Sequence, residues 1–330
     1  MSDYSLIDNH RELTKLLAVQ DVDIKDCEYS VRYVKREISD DVMENMIGKT
    51  LDLNNISLNK TNSFKYGDKL IGVLEALCED QCYIRELGSD NIEKVNKEGD
   101  KSHEYNIKAN AMCMNHDNGD VYFTDFSKKS ISSLSPSGSV SIVISTDPLV
   151  PWGICQSVDD GLLVTLRDKA SDYYKLDIHS RRLVRHITVT GDVIHEYEYR
   201  EDGQTRLFTF PLKVIQNSKS DICVVNHTSY TTGELVILSP SGRRKSVYRG
   251  QNLTKDFKPT DAVCDSLCNI LVTDFYISKK QIHLLSPDGE FQKFLLQDND
   301  VNLPVRLSLY KSTLWVGYRE GLVKVFQYTL

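Results

Sequence analysis

A short phrase returns along the chain at intervals of 39, 53, 51 and 47 residues: an apolar stretch, a polar pair, then glycine. It reads EKVNKEG ending at Gly99, SSLSPSG at Gly138, RHITVTG at Gly191, VILSPSG at Gly242 and HLLSPDG at Gly289. A near-constant return of this kind marks a repeat architecture, in which each unit buries its apolar surface only against its neighbours. Residues that recur with the phrase are therefore scaffold, and function has to be sought in what differs between copies.

Upstream of each glycine lies a run rich in Val, Ile, Tyr and Phe: CYIRE ending at Glu86, VYFTD at Asp125, LLVTL at Leu166, ICVVN at Asn226 and ILVTD at Asp274. A sixth, LWVGY, ends at Tyr318. Short β-branched and aromatic runs bounded by turn residues are strand signals. Residues 82–99 align without gaps to 121–138. Further upstream a proline recurs at Pro151, Pro211 and Pro259, with Pro304 one place off, each ahead of another short apolar run. Proline suits the first residue of a strand, where the ladder needs no N–H. Each unit then reads as four strands: a after the proline, b, c running into the glycine phrase, and d after it. Four antiparallel strands in about 40 to 50 residues describe a propeller blade, and six b runs predict an all-β, six-bladed β-propeller. S-P-x-G suits the c–d turn, where proline fixes φ and glycine accepts a positive φ. Asp125, Asn226 and Asp274 are expected to cap strand b by accepting from loop N–H groups.

The sixth unit stops short: after LWVGY and LVKVFQY (322–328) there is no glycine phrase and no strand d. Bare strand edges at the seam of a ring are a liability. The segment LNNISLNKTNSF (53–64) stands where a strand d would precede unit one. It is predicted to pair with 322–328 and close the ring, so that trimming either end is strongly destabilising. The propeller is thus expected over 49–330, behind an N-terminal extension over 1–48. In the extension, HRELTKLL places Leu13, Leu16 and Leu17 on one helical stripe, and SDDVMENMIG reads as a short helix with Ser39 as N-cap and Gly48 at C′. EYSVRYVKR between them reads as a strand.

The net charge is −7, of which −4 falls within residues 1–50, so the repeat region is nearly neutral and has no global attraction for nucleic acid. The start MSDYSLIDNHREL has neither a basic n-region nor an apolar h-region, and no apolar run nears the roughly 20 residues that span a bilayer. Eight cysteines without a secretory signal read as reduced thiols of a cytoplasmic protein, with no membrane partner; the sequons at Asn55, Asn226 and Asn252 are then incidental. The pairs Cys78/Cys82 and Cys264/Cys268 fall two residues out of register in the self-alignment, and no histidine pair lies near. They read as small apolar fillers rather than zinc ligands, so no metal or other cofactor is expected. There is no G-x-S-x-G or comparable nucleophile signature, and the acids Glu86, Asp125 and Asp274 recur as structural features do; no catalytic residue is assigned.

VYFTDFSKKSISSLSPSG (121–138) and ILVTDFYISKKQIHLLSPDG (270–289) resemble NHL repeats: an apolar strand, Asp, a short loop and a basic-apolar strand ending in glycine. The whole of 50–330 resembles the C-terminal propeller of tripartite-motif (TRIM) proteins, particularly invertebrate TRIM-NHL-like chains, and the N-terminal 50 residues resemble the stretch that follows their coiled coil. It departs from the family pattern where Lys128, Lys129 or Ser130 replaces the usual loop Asn, and where Leu166 and Tyr318 replace the strand-b Asp. In that family ubiquitin transfer belongs to a zinc-binding RING, whereas the cysteines here are scattered from Cys27 to Cys268 and build neither RING nor B-box. The resemblance therefore implies the recognition end of a TRIM-type E3 ubiquitin ligase, or of a RING-less relative, with a protein partner or ubiquitination substrate as ligand and no small-molecule substrate. Some NHL propellers bind RNA, which is the alternative reading, and a channel-metal hydrolase is the third.

Two residues after the aligned proline position come Val73, Met112, Gly153, Lys213, Asp261 and Arg306. Three consecutive blades thus offer Lys213, Asp261 and Arg306 at one channel mouth, and Trp152 stands beside that position in blade three. Either they form an ion-pair network plugging the channel under a packed tryptophan, or they make a polar and aromatic pocket for a partner's loop. The b–c loops are expected on the same face, carrying Lys128 and Lys129 in blade two, Arg181 and Arg182 in blade three, and Lys279 and Lys280 in blade five. These six are the candidate nucleic-acid patch, although acids interrupt them and the sequence sets no stacking aromatics among them. The run RRK at 243–245 follows a c–d turn and belongs to the opposite face.

Overall fold

The computed structural model describes residues 55–115, 117–169, 172–251, 257–275, 281–297 and 302–330. The helices and strand expected in 1–48, the boundary after 48, and Lys279 and Lys280 lie outside them. Among the described residues there is no helix, and the strands form six four-stranded antiparallel sheets. β1 (Ser57–Lys65) is the first strand among the described residues and belongs to the last sheet. Blade one is β2 (Ile71–Ala76), β3 (Gln81–Glu86), β4 (Ile92–Asn96) and β5 (Lys101–Tyr105). Blade two is β6 (Met112–Met114), β7 (Val121–Asp125), β8 (Ser130–Leu134) and β9 (Val140–Ser145). Blade three is β10 (Val150–Gln156), β11 (Leu162–Arg167), β12 (Arg182–Ile187) and β13 (Val193–Tyr197). Blade four is β14 (Phe210–Gln216), β15 (Ile222–His227), β16 (Gly233–Leu238) and β17 (Arg244–Tyr248). Blade five is β18 (Pro259–Cys264), β19 (Ile270–Asp274), β20 (Gln281–Leu285) and β21 (Phe291–Gln297). Blade six is β22 (Pro304–Tyr310), β23 (Thr313–Tyr318) and β24 (Leu322–Thr329), completed by β1.

Burial explains the strand sequences. β11, β15 and β16 are buried at every residue, because neighbouring blades cover both faces, and such strands read as continuous apolar runs rather than alternating ones. Outermost strands such as β9 and β13 leave most residues exposed or half-exposed. The core is accordingly a set of wedges between consecutive blades. Ile154, Leu162 and Val164 of blade three meet Tyr122 and Ile131 of blade two. Across the seam, Val305, Trp315 and Val323 of blade six meet Ile71 and Ile84 of blade one. Trp315 is wholly buried there, and truncating a side chain of that size typically costs about 3–5 kcal/mol.

The repeated phrase is a turn. Its five glycines have φ from +85° to +101°, and each N–H bonds the carbonyl three residues back, as from Gly138 to Ser135 and from Gly289 to Ser286 at 2.9 Å. In every copy the side chain at that first turn position (Asn96, Ser135, Thr188, Ser239 or Ser286) accepts the N–H just beyond the glycine. This is the three-residue hairpin loop, a type I turn closed by a left-handed residue. Strand-b caps divide into two kinds. Asp125 accepts from Ser127 and Lys128 N–H in the loop ahead, at 2.9 and 3.0 Å, as expected. Asn226 instead accepts Thr209 and Phe210 N–H, at 3.0 and 2.9 Å, and Asp274 accepts Lys258 N–H at 3.1 Å. These bonds fasten the end of strand b to the chain just ahead of the proline, where N–H groups lack a ladder carbonyl.

The ring closes as the sequence predicts. β1 pairs antiparallel with β24 from Ser57 opposite Thr329 to Lys65 opposite Leu322, with a bulge between Lys60 and Asn62. Thr61 Oγ1 adds a bond to the Val325 carbonyl at 3.1 Å, and the Lys65 ammonium donates to the Glu320 carbonyl. One further irregularity positions the site. In five blades the pairing of strands a and b slips just after strand a begins, at Ile71/Val73, Pro151/Ile154, Pro211/Lys213, Pro259/Ala262 and Pro304/Arg306. A bulge bends the strand and re-aims the side chain beside it, and Lys213, Asp261 and Arg306 all stand at these slips.

Candidate functional site

Strand a begins and strand b ends on one side of the ring, termed the upper face. Phe126 and Arg167, each just at the end of a strand b, pack at 6.5 and 5.4 Å from the Trp152 ring at the start of β10. At the channel mouth Lys213 Nζ lies 3.6 Å from Asp261 Oδ1. Asp261 Oδ2 accepts Leu307 N–H at 3.1 Å, and its Oδ1 accepts Ala262 N–H at 2.9 Å. Arg306 donates from Nε to the Gly72 carbonyl at 2.8 Å and from Nη1 to the Val305 carbonyl at 2.9 Å. Burial pulls the Lys213 ammonium down, but Asp261 and Glu75 outweigh it and hold the pKa above the usual lysine value. Burial lowers Arg306, with Asp261 opposing. The structure thus brings the three charged residues together as a network tying blades four, five, six and one. Beside Trp152 this network leaves about 30 Å³, room for a water or two.

Below the network a cavity of about 300 Å³ opens toward the other end of the channel, lined among others by Glu75, Met114, Cys155, Ile215 and Ser308. Glu75 Oε1 accepts Met114 N–H at 3.2 Å. Burial raises the Glu75 carboxyl to about 7, with Lys213 opposing. The acids at this depth therefore already face Lys213 and Arg306, and among the described residues no three His, Cys, Asp or Glu side chains are gathered as a metal would require. That donor set does not fit a channel cation. The paired cysteines are dispersed: Cys264 lines this cavity, Cys82 is in the wedge between blades six and one, and Cys268 takes the left-handed turn position, φ +67°, between β18 and β19.

Each of the four described basic loop residues faces an acid of its own chain. Lys128 is 68% exposed, 3.7 Å from Asp125. Lys129 pairs with Asp147 at 2.6 Å, and Arg181 holds Glu196 and Glu198 at 2.9 and 2.8 Å. Arg182 is fully buried, pairing with Asp168 and donating to the Thr209 carbonyl at 3.1 Å. Burial drops its pKa to about 10. As the first residue of β12 it points to the opposite side from its neighbour Arg181, so it stabilises the blade and is not available on a nucleic-acid patch. Lys245 of the RRK run bonds Asp221 at 2.8 Å, next to an a–b turn, and so lies on the lower face as expected.

The most developed feature of the upper face is one that sequence reasoning missed. Rings from blades two to four form a row: Phe126 to Trp152 (6.5 Å), Trp152 to Phe210 (5.8 Å), Phe210 to Tyr174 (6.0 Å) and Tyr174 to Tyr230 (4.5 Å). Tyr173 stacks on Phe210 at 5.4 Å. Phe126, Tyr173 and Tyr230 are 51, 42 and 66% exposed. The Arg167 guanidinium sits among them, 4.3 Å from the Tyr173 centroid and 5.4 Å from those of Trp152 and Phe210. The self-alignment held part of the signal, since Phe126 and Arg167 occupy the same position after strand b, and Trp152 and Phe210 flank the aligned prolines.

Comparison places this architecture among known folds. No protein-family model matches the sequence, and neither does any curated protein. Solved structures do match in fold. A protein assigned as a gluconolactonase has a TM-score of 0.61 at 12% identity, covering 84% of this chain and 97% of that one. A catalytically inactive virginiamycin B lyase from Staphylococcus aureus, with quinupristin, has a TM-score of 0.54 at 14% identity, covering 83% and 99%. A chain of a nidogen/laminin complex has 0.51 at 16% identity, covering 69% and 80%. At such identities the likeness establishes the class, a six-bladed β-propeller, and nothing about chemistry.

Proposed function

We propose that this propeller is a recognition module whose upper face receives a protein partner. On the NHL-like repeats, that partner is a substrate delivered to a TRIM-type ubiquitin ligase or a ligand of a RING-less relative, in the cytoplasm. The observation that carries the reading is the pairing of a plugged channel with an exposed row of aromatic rings around an arginine. Trp, Tyr and Arg are the residue types that anchor protein interfaces. The similar fold from a nidogen/laminin complex comes from a protein–protein assembly, so the architecture is compatible with this role. The gluconolactonase and lyase neighbours favour catalysis by fold analogy, but the acids of this channel are engaged by the chain's own Lys213 and Arg306.

RNA is the second reading, favoured by stacking rings beside loop lysines, and weakened by Lys129 and Arg181 already holding acids. The test is capture of partners on immobilised protein after nuclease treatment, followed by mass spectrometry. Partners that survive nuclease, disappear with Trp152→Ala or Tyr230→Ser, and persist with Arg243→Glu on the lower face support the proposal. Retention that needs RNA, with salt-sensitive binding of single-stranded RNA lost on reversing Lys128, Lys129 and Arg181 to Glu, overturns it.

A further inference from the structure

Arg167 is unlike the other arginines of blade three. It is 4% exposed, yet no acidic side chain pairs with it among the described residues. Its neighbours are compensated: Arg181 by Glu196 and Glu198, Arg182 by Asp168, Arg185 by Glu196, and Arg206 by Glu198. Arg167 Nε is buried without a hydrogen-bond partner, and Nη1 makes only a long contact, 3.4 Å, to the Asp168 carbonyl. Burial lowers its pKa, with the neighbouring Tyr173 hydroxyl, a polar but uncharged hydrogen-bond partner, opposing. A buried cation without an anion is costly, and its Nε donor in particular is left without an acceptor. Aromatic faces compensate the charge in part but cannot accept the in-plane N–H bonds.

We infer that Arg167 is the anchor for a single carboxylate in a peptide segment of the partner, with apolar or aromatic residues beside that carboxylate resting on Phe126, Tyr173 and Tyr230. This rests on the reading of the upper face as a partner site. A guanidinium takes a carboxylate in a planar, two-bond geometry, and the surrounding rings would exclude water from it. Tyr173, the ring closest to the guanidinium and 42% exposed, turns aside about χ1 to admit the carboxylate, an ordinary side-chain motion. One uncompensated cation calls for one anion. A nucleic acid offers a phosphate per residue and needs several free cations along its path, whereas Lys129 and Arg181 are paired and the chain carries −7. The row of rings, each 4.5 to 6.5 Å from the next, suits an extended peptide of roughly six residues better than a compact small molecule.

The test selects binders to the whole chain from a phage-displayed random dodecapeptide library, then measures the affinity of synthetic winners. Fluorescence anisotropy of a fluorescein-labelled peptide is the reporter, so that one readout serves the wild type and every variant, Trp152→Ala included. The expected result is a shared Asp or Glu next to an aromatic or large apolar residue. Amidating that acid to Asn or Gln should weaken binding at least about tenfold, and Arg167→Gln should make acid and amide peptides indistinguishable. Arg167→Lys, with thermal unfolding of each variant, separates loss of the site from loss of fold: it should keep a preference for the acid while losing most of the affinity. Winners that bind equally as acid and amide, or an acid preference that survives Arg167→Gln, overturn the inference and leave the recognition proposal standing. Winners unaffected by Trp152→Ala and Tyr230→Ser overturn both, as does uridine 20-mer RNA binding at physiological salt that Arg167→Gln abolishes.

Discussion

Glu75→Gln probes the electrostatics inside the channel. The carboxyl lies in the cavity wall under Lys213, and burial lifts it from an ordinary 4.5 to about 7. An acid raised on folding binds its proton more tightly in the native state, so the unfolded chain ionises first as pH climbs. Its effect is therefore nil below about pH 4.5, grows as a destabilisation between about 4.5 and 7, and is constant above that. A shift of this size is worth about 3 kcal/mol at most, and water in the 300 Å³ cavity would soften it. Gln keeps the acceptor for Met114 N–H without the charge. Urea unfolding of both proteins at pH 5, 6, 7 and 8 should show the variant gaining on the wild type by up to about 3 kcal/mol by pH 8, with the gap closing toward pH 5. A gap that does not vary with pH, or a wild type that gains on the variant as pH rises, would refute the burial argument and indicate instead an ionised Glu75 paired with Lys213.

Arg182→Ala should cost about 3 kcal/mol, since it empties a fully buried side-chain site and leaves the partly buried Asp168 without its cation, whereas Arg181→Ala on the exposed neighbour should cost under about 1 kcal/mol; equal losses in chemical denaturation would contradict the opposed placement of the two. Gly88→Ala and Gly289→Ala share a φ of +86°, but nothing lies within 4 Å of a Cβ at position 88, while Ile237 Cδ1 and Ser246 Oγ lie 2.6 and 2.8 Å from one at 289. Gly88→Ala should therefore lose about 1 kcal/mol from backbone strain alone, and Gly289→Ala about 2–4 kcal/mol once crowding is added. Matching midpoint shifts would remove the steric part of that argument.

The blade plan was legible because the turn chemistry repeats. Ser-Pro-x-Gly and its variants demand one backbone geometry, and the prolines set the register of strand a, so Lys213, Asp261 and Arg306 could be aligned to one channel mouth before any coordinates. The ring closure was legible from a missing strand. What the sequence hid was anything built from loops of unequal length. Tyr173 and Tyr230 lie between β11 and β12 and between β15 and β16, where no self-alignment holds, so their approach to Phe210 and Arg167 has no linear signature. Arg181 and Arg182 looked equivalent because a dibasic pair does not announce which member faces inward. Glu75 was overlooked because it stands two residues beyond the compared position, where its neighbours around the channel, such as Met114, Cys155 and Ser308, share no charge with it.

Pairing of β1 with β24 holds six sheets in one ring and so fixes the geometry of the upper face on which recognition depends. The direct test is disulfide trapping at an exposed register pair, Asn59→Cys with Gln327→Cys, compared with Ser63→Cys and Gln327→Cys, whose positions are roughly 10 Å apart along the ladder. Mild oxidation of the native protein should form the 59–327 bond rapidly within one chain, mapped by mass spectrometry, and the offset pair should not close. No 59–327 bond in the folded protein, or equal closure of the offset pair, would contradict a ring latched by its N-terminal strand.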